Sequence, residues 1–234
     1  MIQTADIKTA NEVARFNMPR EIARFNMIEQ QIRTWEVLDP VVLALLSEIP
    51  REHFVPAEYQ GLAFADIEIP IGAGQTMLSP KLEGRILQAL SVQKTHNVLH
   101  IGTGSGYVTA LLASLAKHVT AVEINADLSA KAAQNLAKHT IQNVTLLVAD
   151  GALGLPNQAP FDLIVYTGSC PVEPLGVRNQ LAVGGALFIV LGTGPAMQAI
   201  LIQRLSEAAF KQDVLFETYV PELINAPQAS TFEF

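Results

Sequence analysis

The sequence predicts an α/β fold: a doubly wound, mostly parallel sheet of seven strands preceded by an N-terminal helical layer. Three observations predict it. Short runs rich in Val, Ile and Leu recur from Asn97 onward, helix-like stretches separate the first of them, and a glycine-rich turn follows the first run. Apolar strands alternating with helices indicate a parallel sheet covered on both faces.

Taken in order, residues 1–50 read as a helical extension. The pentapeptide ARFNM stands at 14–18 and again at 23–27. Two copies are too few for a solenoid, so a local duplication within a helix is expected. Ile28, Ile32 and Trp35 continue the second copy at helical spacing. Asp39-Pro40 then opens another helix, with Asp as N-cap and Pro in the first helical position. Val41, Leu43, Leu45 and Leu46 make that helix mostly apolar, and Pro50 stops it.

Residues 51–96 hold the segment IGAGQTMLSP and a lead-in helix, PKLEGRILQAL, for which Ser79 is the N-cap candidate. Residues 97–234 hold the sheet. Its strands are expected at 97–101, 119–124, 144–149, 161–166 and 186–191, with GYVTALLASLAK and ADLSAKAAQNLAKH as helices between the first three. AILIQRL and VLFETYVP supply two more strands, an antiparallel pair at the sheet edge. No linker-like run separates these parts, so the expectation is one domain spanning 1–234.

Composition narrows the function classes. Half of the 234 residues are apolar and 16% are charged, which argues against long disordered tracts. A formal charge of −7 with no basic run disfavours a nucleic-acid partner. Leu181–Leu201 is long enough to span a membrane, but paired glycines and a Gly-Thr-Gly-Pro turn divide it, so no membrane partner is expected. The N-terminus lacks the apolar core of a signal peptide, and one cysteine, Cys170, forms no internal disulfide. Both point to a cytoplasmic setting.

The strongest local signal is VLHIGTGSGYVTALL. A strand enters Gly102, Thr103, Gly104, Ser105 and Gly106, and a helix leaves. Such a loop lets backbone approach a ligand closely, beside free helix N-terminal amides. About twenty residues on, Glu123 with Ile124 beside it closes the next strand, where a carboxylate can grip ribose hydroxyls. The third strand delivers Asp150 and Gly151 to the same edge, within reach of an adenine amino group. A dinucleotide fingerprint requires glycine where this chain has Tyr107. A nicotinamide oxidoreductase is therefore the weakest alternative.

The order of these pieces resembles class I methyltransferases, which bind S-adenosylmethionine on a Rossmann-like sheet. More closely, the chain resembles the protein-L-isoaspartate O-methyltransferase family. The resemblance rests on IPREHFVP, AFADIEIPIGAGQTMLSP, VLHIGTGSGYVTALLASLA, VADGALGLP, APFDLIVYTGSCP and LAVGGALFIVLG, in that order, over Ile49 to Gly192. It implies S-adenosylmethionine as cofactor, with ribose at Glu123, adenine near Asp150 and Gly151, and the methionine moiety over Gly102–Gly106. It implies methyl transfer to the carboxylate of L-isoaspartyl residues in damaged protein or peptide. Gln75, Thr76 and Ser79 would form the acceptor site, with Asp66 and Leu78 as substrate contacts. A carboxylate attacking a sulfonium methyl needs no strong base, so the protein's task is positioning and exclusion of water.

Two departures bear on that reading. The family usually reads Gly-Gln-Thr-Ile-Ser, whereas here Leu78 follows Met77 and the serine, Ser79, comes one residue late. In an extended segment such a shift turns the side chain to the opposite face, so either the loop bulges to bring Ser79 inward or, as expected here, Leu78 occupies the serine's place. His100 stands where related methyltransferases commonly carry an acidic residue toward the charged end of the cofactor, and weaker cofactor binding is expected. These departures keep two alternatives open: a cofactor-binding relative with a regulatory role, and a carboxyl methyltransferase with a different acceptor. His53, His96, His100, His118 and His139 are not spaced as metal ligands, and no metal is expected. Cys170 reads as a packed thiol, Tyr166 and Thr167 as pocket-lining or packed, and Phe232 and Phe234 as part of a packing tail.

Overall fold

The computed structural model describes residues 20–229. The first ARFNM copy, Phe232 and Phe234 lie outside them. Residues 20–35 form a helical segment that passes through a π-helical stretch, Met27–Ile32, into a 3-10 turn, Arg33–Trp35. Met27, Ile28 and Ile32 face inward, and Glu36 ends the segment in the left-handed region.

Four α-helices follow: α1 (Pro40–Glu48), α2 (Pro80–Leu90), α3 (Tyr107–Leu115) and α4 (Ala126–Lys138). The Asp39 carboxylate accepts from the Val41 amide at 2.8 Å, capping α1. Val42, Leu43, Leu45 and Leu46 are buried, whereas Val41 is 56% exposed.

The strands are β1 (Ile69–Gly72), β2 (Gln75–Met77), β3 (Asn97–Ile101), β4 (His118–Glu123), β5 (Val144–Val148), β6 (Phe161–Cys170), β7 (Leu181–Leu191), β8 (Met197–Arg204) and β9 (Phe210–Thr218). β1 and β2 pair as an antiparallel hairpin within the segment before the lead-in helix, where the sequence predicts no strand pairing. The other seven form one sheet in the order β5-β4-β3-β6-β7-β8-β9. β5 through β7 run parallel across β4, β3 and β6, and β8 and β9 add the antiparallel edge.

Alternation along the strands splits the core in two. Val98, Leu163, Val165, Phe188 and Val190 face one way and pack with side chains from all four α-helices. Leu99, Ile101, Ile164, Tyr166, Leu187 and Ile189 face the other way and cluster with Phe161, and Val177 and Ala226 cover them without any α-helix. Both faces are covered, one by α-helices and one by loops and 3-10 turns.

This topology positions the site. The chain runs outward from β3 to β5, then returns to place β6 on the opposite flank of β3. The order reverses there, and open α/β sheets form a crevice at the carboxyl ends of strands flanking such a point.

Candidate functional site

A cleft opens at those carboxyl ends. It is lined by Gly102–Ser105 after β3, Glu123 and Ile124 after β4, Asp150 and Gly151 after β5, and Thr167 and Gly168 in β6. Gln75, Thr76, Met77 and Leu78 of the hairpin wall one side, and Pro221–Ile224 close the other.

The loop after β3 is shaped by close contacts. Gly102 has φ +90, and a Cβ there would lie 2.9 Å from the Thr167 hydroxyl. The Gly104 amide donates to Glu123 Oε2 at 2.8 Å, and the Asn125 amide to Oε1 at 3.0 Å. Glu123 is thus locked in place while each oxygen keeps a free lone pair. Thr103 Oγ1 is buried with no partner, although Thr103 lines the cleft. Gly106 does not line the cleft and packs against Ala132 of α4. Asp150 accepts from the Ala152 amide at 2.9 Å and from Asn225 Nδ2 at 2.8 Å.

β6 carries a bulge between Val165 and Ser169, which swings Thr167 and Gly168 over the cleft. The buried Ser169 holds the C-terminal segment there. Its amide donates to Pro221 O at 2.9 Å, its hydroxyl to Val220 O at 2.7 Å, and its carbonyl accepts from the Leu223 amide at 2.9 Å. A Cβ on Gly168 would collide with Leu223 at 2.6 Å, so glycine permits this closure. Glu222 and Asn225 went unnoticed in the sequence. The break at Pro221, followed by an acidic residue and two apolar ones, was the available signal.

His100 lies beneath α3, 0% exposed, and does not line the cleft. Thr167 Oγ1 sits 2.7 Å from Gly102 O and 3.0 Å from Ile101 O, so its one proton goes to a carbonyl. By that network His100 Nε2–H donates to Thr167 at 3.1 Å, and Nδ1 accepts from Thr109 at 2.9 Å. Burial pulls the imidazole down to about 3, so it stays neutral and braces Thr167. His100 therefore reaches the cleft only through Thr167, which lines it.

The acceptor side also differs from expectation. The hairpin turns through Ala73 and Gly74, both at positive φ. Thr76 Oγ1 donates to Glu68 Oε2 at 3.1 Å, and burial raises the Glu68 carboxyl above its ordinary value. Leu78 lines the cleft, while Ser79 starts α2 outside the lining and its hydroxyl makes no cap bond. Asp66 also lies outside, paired with Lys81 at 2.7 Å, and that ammonium sits 4.3 Å above the Trp35 ring.

Beneath Leu78 lies a buried pair that the sequence reading missed. Arg51 gives Nε to Glu83 Oε2 at 2.9 Å, Nη1 to Ala63 O at 2.6 Å and Nη2 to Leu78 O at 2.5 Å. Glu83 lines the cleft floor. Its signal was an acidic residue on the apolar stripe that Ile86, Leu87 and Leu90 form along α2. Cys170 is a buried free thiol, pushed up to about 12 mainly by burial. Tyr166 is buried on the face without α-helices and donates to Ala152 O at 3.2 Å.

Comparison with known proteins sets this geometry in a family. The family model described as Protein-L-isoaspartate(D-aspartate) O-methyltransferase (PCMT) matches residues 23–225. The chain belongs to that family. A protein-L-isoaspartate O-methyltransferase of Rhodopseudomonas palustris is 39% identical over 201 residues, covering 86% of this chain and 92% of the relative. Protein-L-isoaspartate O-methyltransferase 2 of Marinobacter nauticus is 40% identical over 187 residues, covering 80% and 85%. Among solved structures, a protein-L-isoaspartate O-methyltransferase superposes with a TM-score of 0.73 at 23% identity, over 86% of this chain and 66% of that one. A beta-aspartate methyltransferase (PCMT) from Plasmodium falciparum, in complex with S-adenosyl-L-homocysteine, gives 0.72 at 18%, over 85% and 97%. Both share the sheet described above. Leu78 lies both in the core and in the cleft lining, and His100 lies under α3.

Proposed function

We propose that the cleft binds S-adenosylmethionine and that the chain transfers its methyl group to the carboxylate of L-isoaspartyl residues in protein or peptide substrates. The charge of the cleft carries this reading. Its lining includes Glu83, Glu123, Asp150 and Glu222 and, among the described residues, no lysine, arginine or histidine. A dinucleotide would bring a diphosphate against Glu123, Asp150 and Glu222 with no base in the lining to meet it, Glu83 being matched by the buried Arg51. A sulfonium nucleoside with one ammonium and one carboxylate is a net cation, and the same wall attracts it.

The residues present fit that group. Glu123 keeps lone pairs for ribose hydroxyls, Asp150 keeps them for an adenine amino group, and the orphan Thr103 hydroxyl awaits a partner. Bound there, the cofactor supplies an electrophilic methyl on positively charged sulfur. The chain's own work is placement. Ile71, Met77 and Leu78 form a water-excluding wall beside the hairpin, and Gln75 orients the acceptor. The acceptor carboxylate is ionised at neutral pH and needs no base. The proposal includes a cytoplasmic setting, consistent with the free thiol of Cys170. No helix among the described residues is long and apolar enough to cross a membrane.

The test is incorporation of labelled methyl into an isoaspartyl peptide, with its aspartyl counterpart as control. Selective labelling of the isoaspartyl form is expected, and equal or absent labelling would overturn the acceptor assignment. Glu123→Ala should weaken cofactor binding about 100-fold, through two hydrogen bonds at about 1.5 kcal/mol each. Equilibrium titration reads this directly.

A further inference from the structure

Glu83 has one oxygen in use and one free. Oε2 accepts from Arg51 Nε at 2.9 Å, whereas Oε1 is buried without any partner. The residue is 1% exposed, yet it lines the cleft floor together with Leu78 and Tyr107. Arg51 spends its other two nitrogens on Ala63 O and Leu78 O. An orphaned buried carboxyl oxygen at a cleft needs a partner, and a ligand group is the natural one.

On this side of the cleft, Gln75 and Glu83 are the polar side chains left with free hydrogen-bonding capacity. Thr76 gives its hydroxyl to Glu68, Ser79 lies outside the lining, and Leu78 offers no hydroxyl. We propose that Glu83 contacts the acceptor, its free Oε1 holding one oxygen of the acceptor carboxylate through a shared proton. This rests on the isoaspartyl reading above and names a residue that carries it.

The proton belongs to Glu83. Burial pushes its carboxyl up to about 7, outweighing Arg51 beside it. The other groups facing this corner are the Tyr107 ring and, beyond it, Glu52 and Arg24. An arriving acceptor carboxylate is one more anion, which favours the protonated form further. Acceptor binding and protonation of Glu83 are therefore linked. No covalent step is added, because Glu83 keeps its proton while the methyl moves.

The experiment titrates an isoaspartyl peptide, free of groups that ionise near neutrality, into protein saturated with S-adenosylhomocysteine. Calorimetry on either side of about 7, in buffers of different ionisation enthalpy, reads affinity and proton uptake. Wild type should bind about tenfold more weakly one unit above that point than one unit below, and take up a proton on the alkaline side. Glu83→Gln donates from an amide with no proton to lose, so its affinity should not vary with pH. Glu83→Leu should bind about tenfold more weakly at the acid end, with no proton uptake. S-adenosylhomocysteine affinity, measured on each variant, confirms that the cofactor end is intact.

Three results would overturn the contact: a flat wild-type profile, no proton uptake, or Glu83→Gln as weak as Glu83→Leu. The last would assign Glu83 to bracing Arg51 alone. Wild type that methylates the isoaspartyl peptide without these splits overturns only the contact. Wild type that neither binds nor methylates it overturns the isoaspartyl reading and the contact with it.

Discussion

Leu78 serves at once as cleft wall and as core, 5% exposed and packed in the helix-side cluster, with its carbonyl pinned by Arg51. Leu78→Ser would restore the family's residue type but remove a buried aliphatic group. The expected cost is about 2–4 kcal/mol in urea denaturation, and an unchanged midpoint would show that the side chain is not core. Glu83 makes a second prediction, whose sign runs against ordinary ion-pair intuition. Its folded-state value, about 7, lies above the ordinary 4.5, so the folded chain holds a proton that the unfolded chain releases between those values. That contribution to stability is full at low pH and lost as pH rises through the window. His100, pulled down to about 3, acts the other way: the unfolded chain gains a proton below 6.5 that the folded chain refuses. The two oppose each other, so the informative quantity is a difference between variants. The melting temperature of Glu83→Gln relative to wild type should rise between pH 5 and pH 8. A relative fall would mark Glu83 as a conventional charged partner of Arg51.

At the scale of elements, legibility followed local pattern. β3 falls on the residues expected, 97–101, because Val98, Leu99 and Ile101 make a short apolar run that ends at glycine. β6 runs on to Cys170 and β7 begins at Leu181, past points where Thr167-Gly168 and Gly184-Gly185 read as turns. Both pairs lie in bulges, where strand pairing continues although the local sequence looks like an ending. The hairpin was missed for a related reason. A two-residue turn with both φ positive favours Asn-Gly, and this chain uses Ala73-Gly74. Alanine in the left-handed region is strained, and asparagine tolerates it better. Ala73→Asn should therefore stabilise the fold by about 0.5–1 kcal/mol, raising the melting temperature by roughly 1–4 °C. No rise would place the turn outside that geometry. The Arg51–Glu83 pair was illegible for another reason: thirty-two positions separate the partners, and only the packing of α2 under the hairpin joins them.

Across the whole molecule, the cleft draws on distant parts of the chain. The hairpin precedes the sheet, the glycine loop follows its first strand, and Pro221–Ile224 return after its last, zipped to the bulge in β6. The glycine loop, Glu123 and Asp150 were readable because strand ends deliver them in sequence order; the returning segment was not, since its place depends on Ser169. A ligand that bridges these parts binds only the folded chain, so it must stabilise the whole. At one hundred times its dissociation constant, S-adenosylmethionine should add about 2.7 kcal/mol, a rise in melting temperature of roughly 5–10 °C. NAD at the same concentration should give no shift, because its diphosphate would face Glu123, Asp150 and Glu222 without a compensating cation in the lining. The comparison isolates charge, since both ligands carry adenosine and can satisfy Glu123 and Asp150 equally. Stabilisation by NAD alone would mean that the loop after β3 accepts a diphosphate after all, and the methyltransfer reading would fall with it.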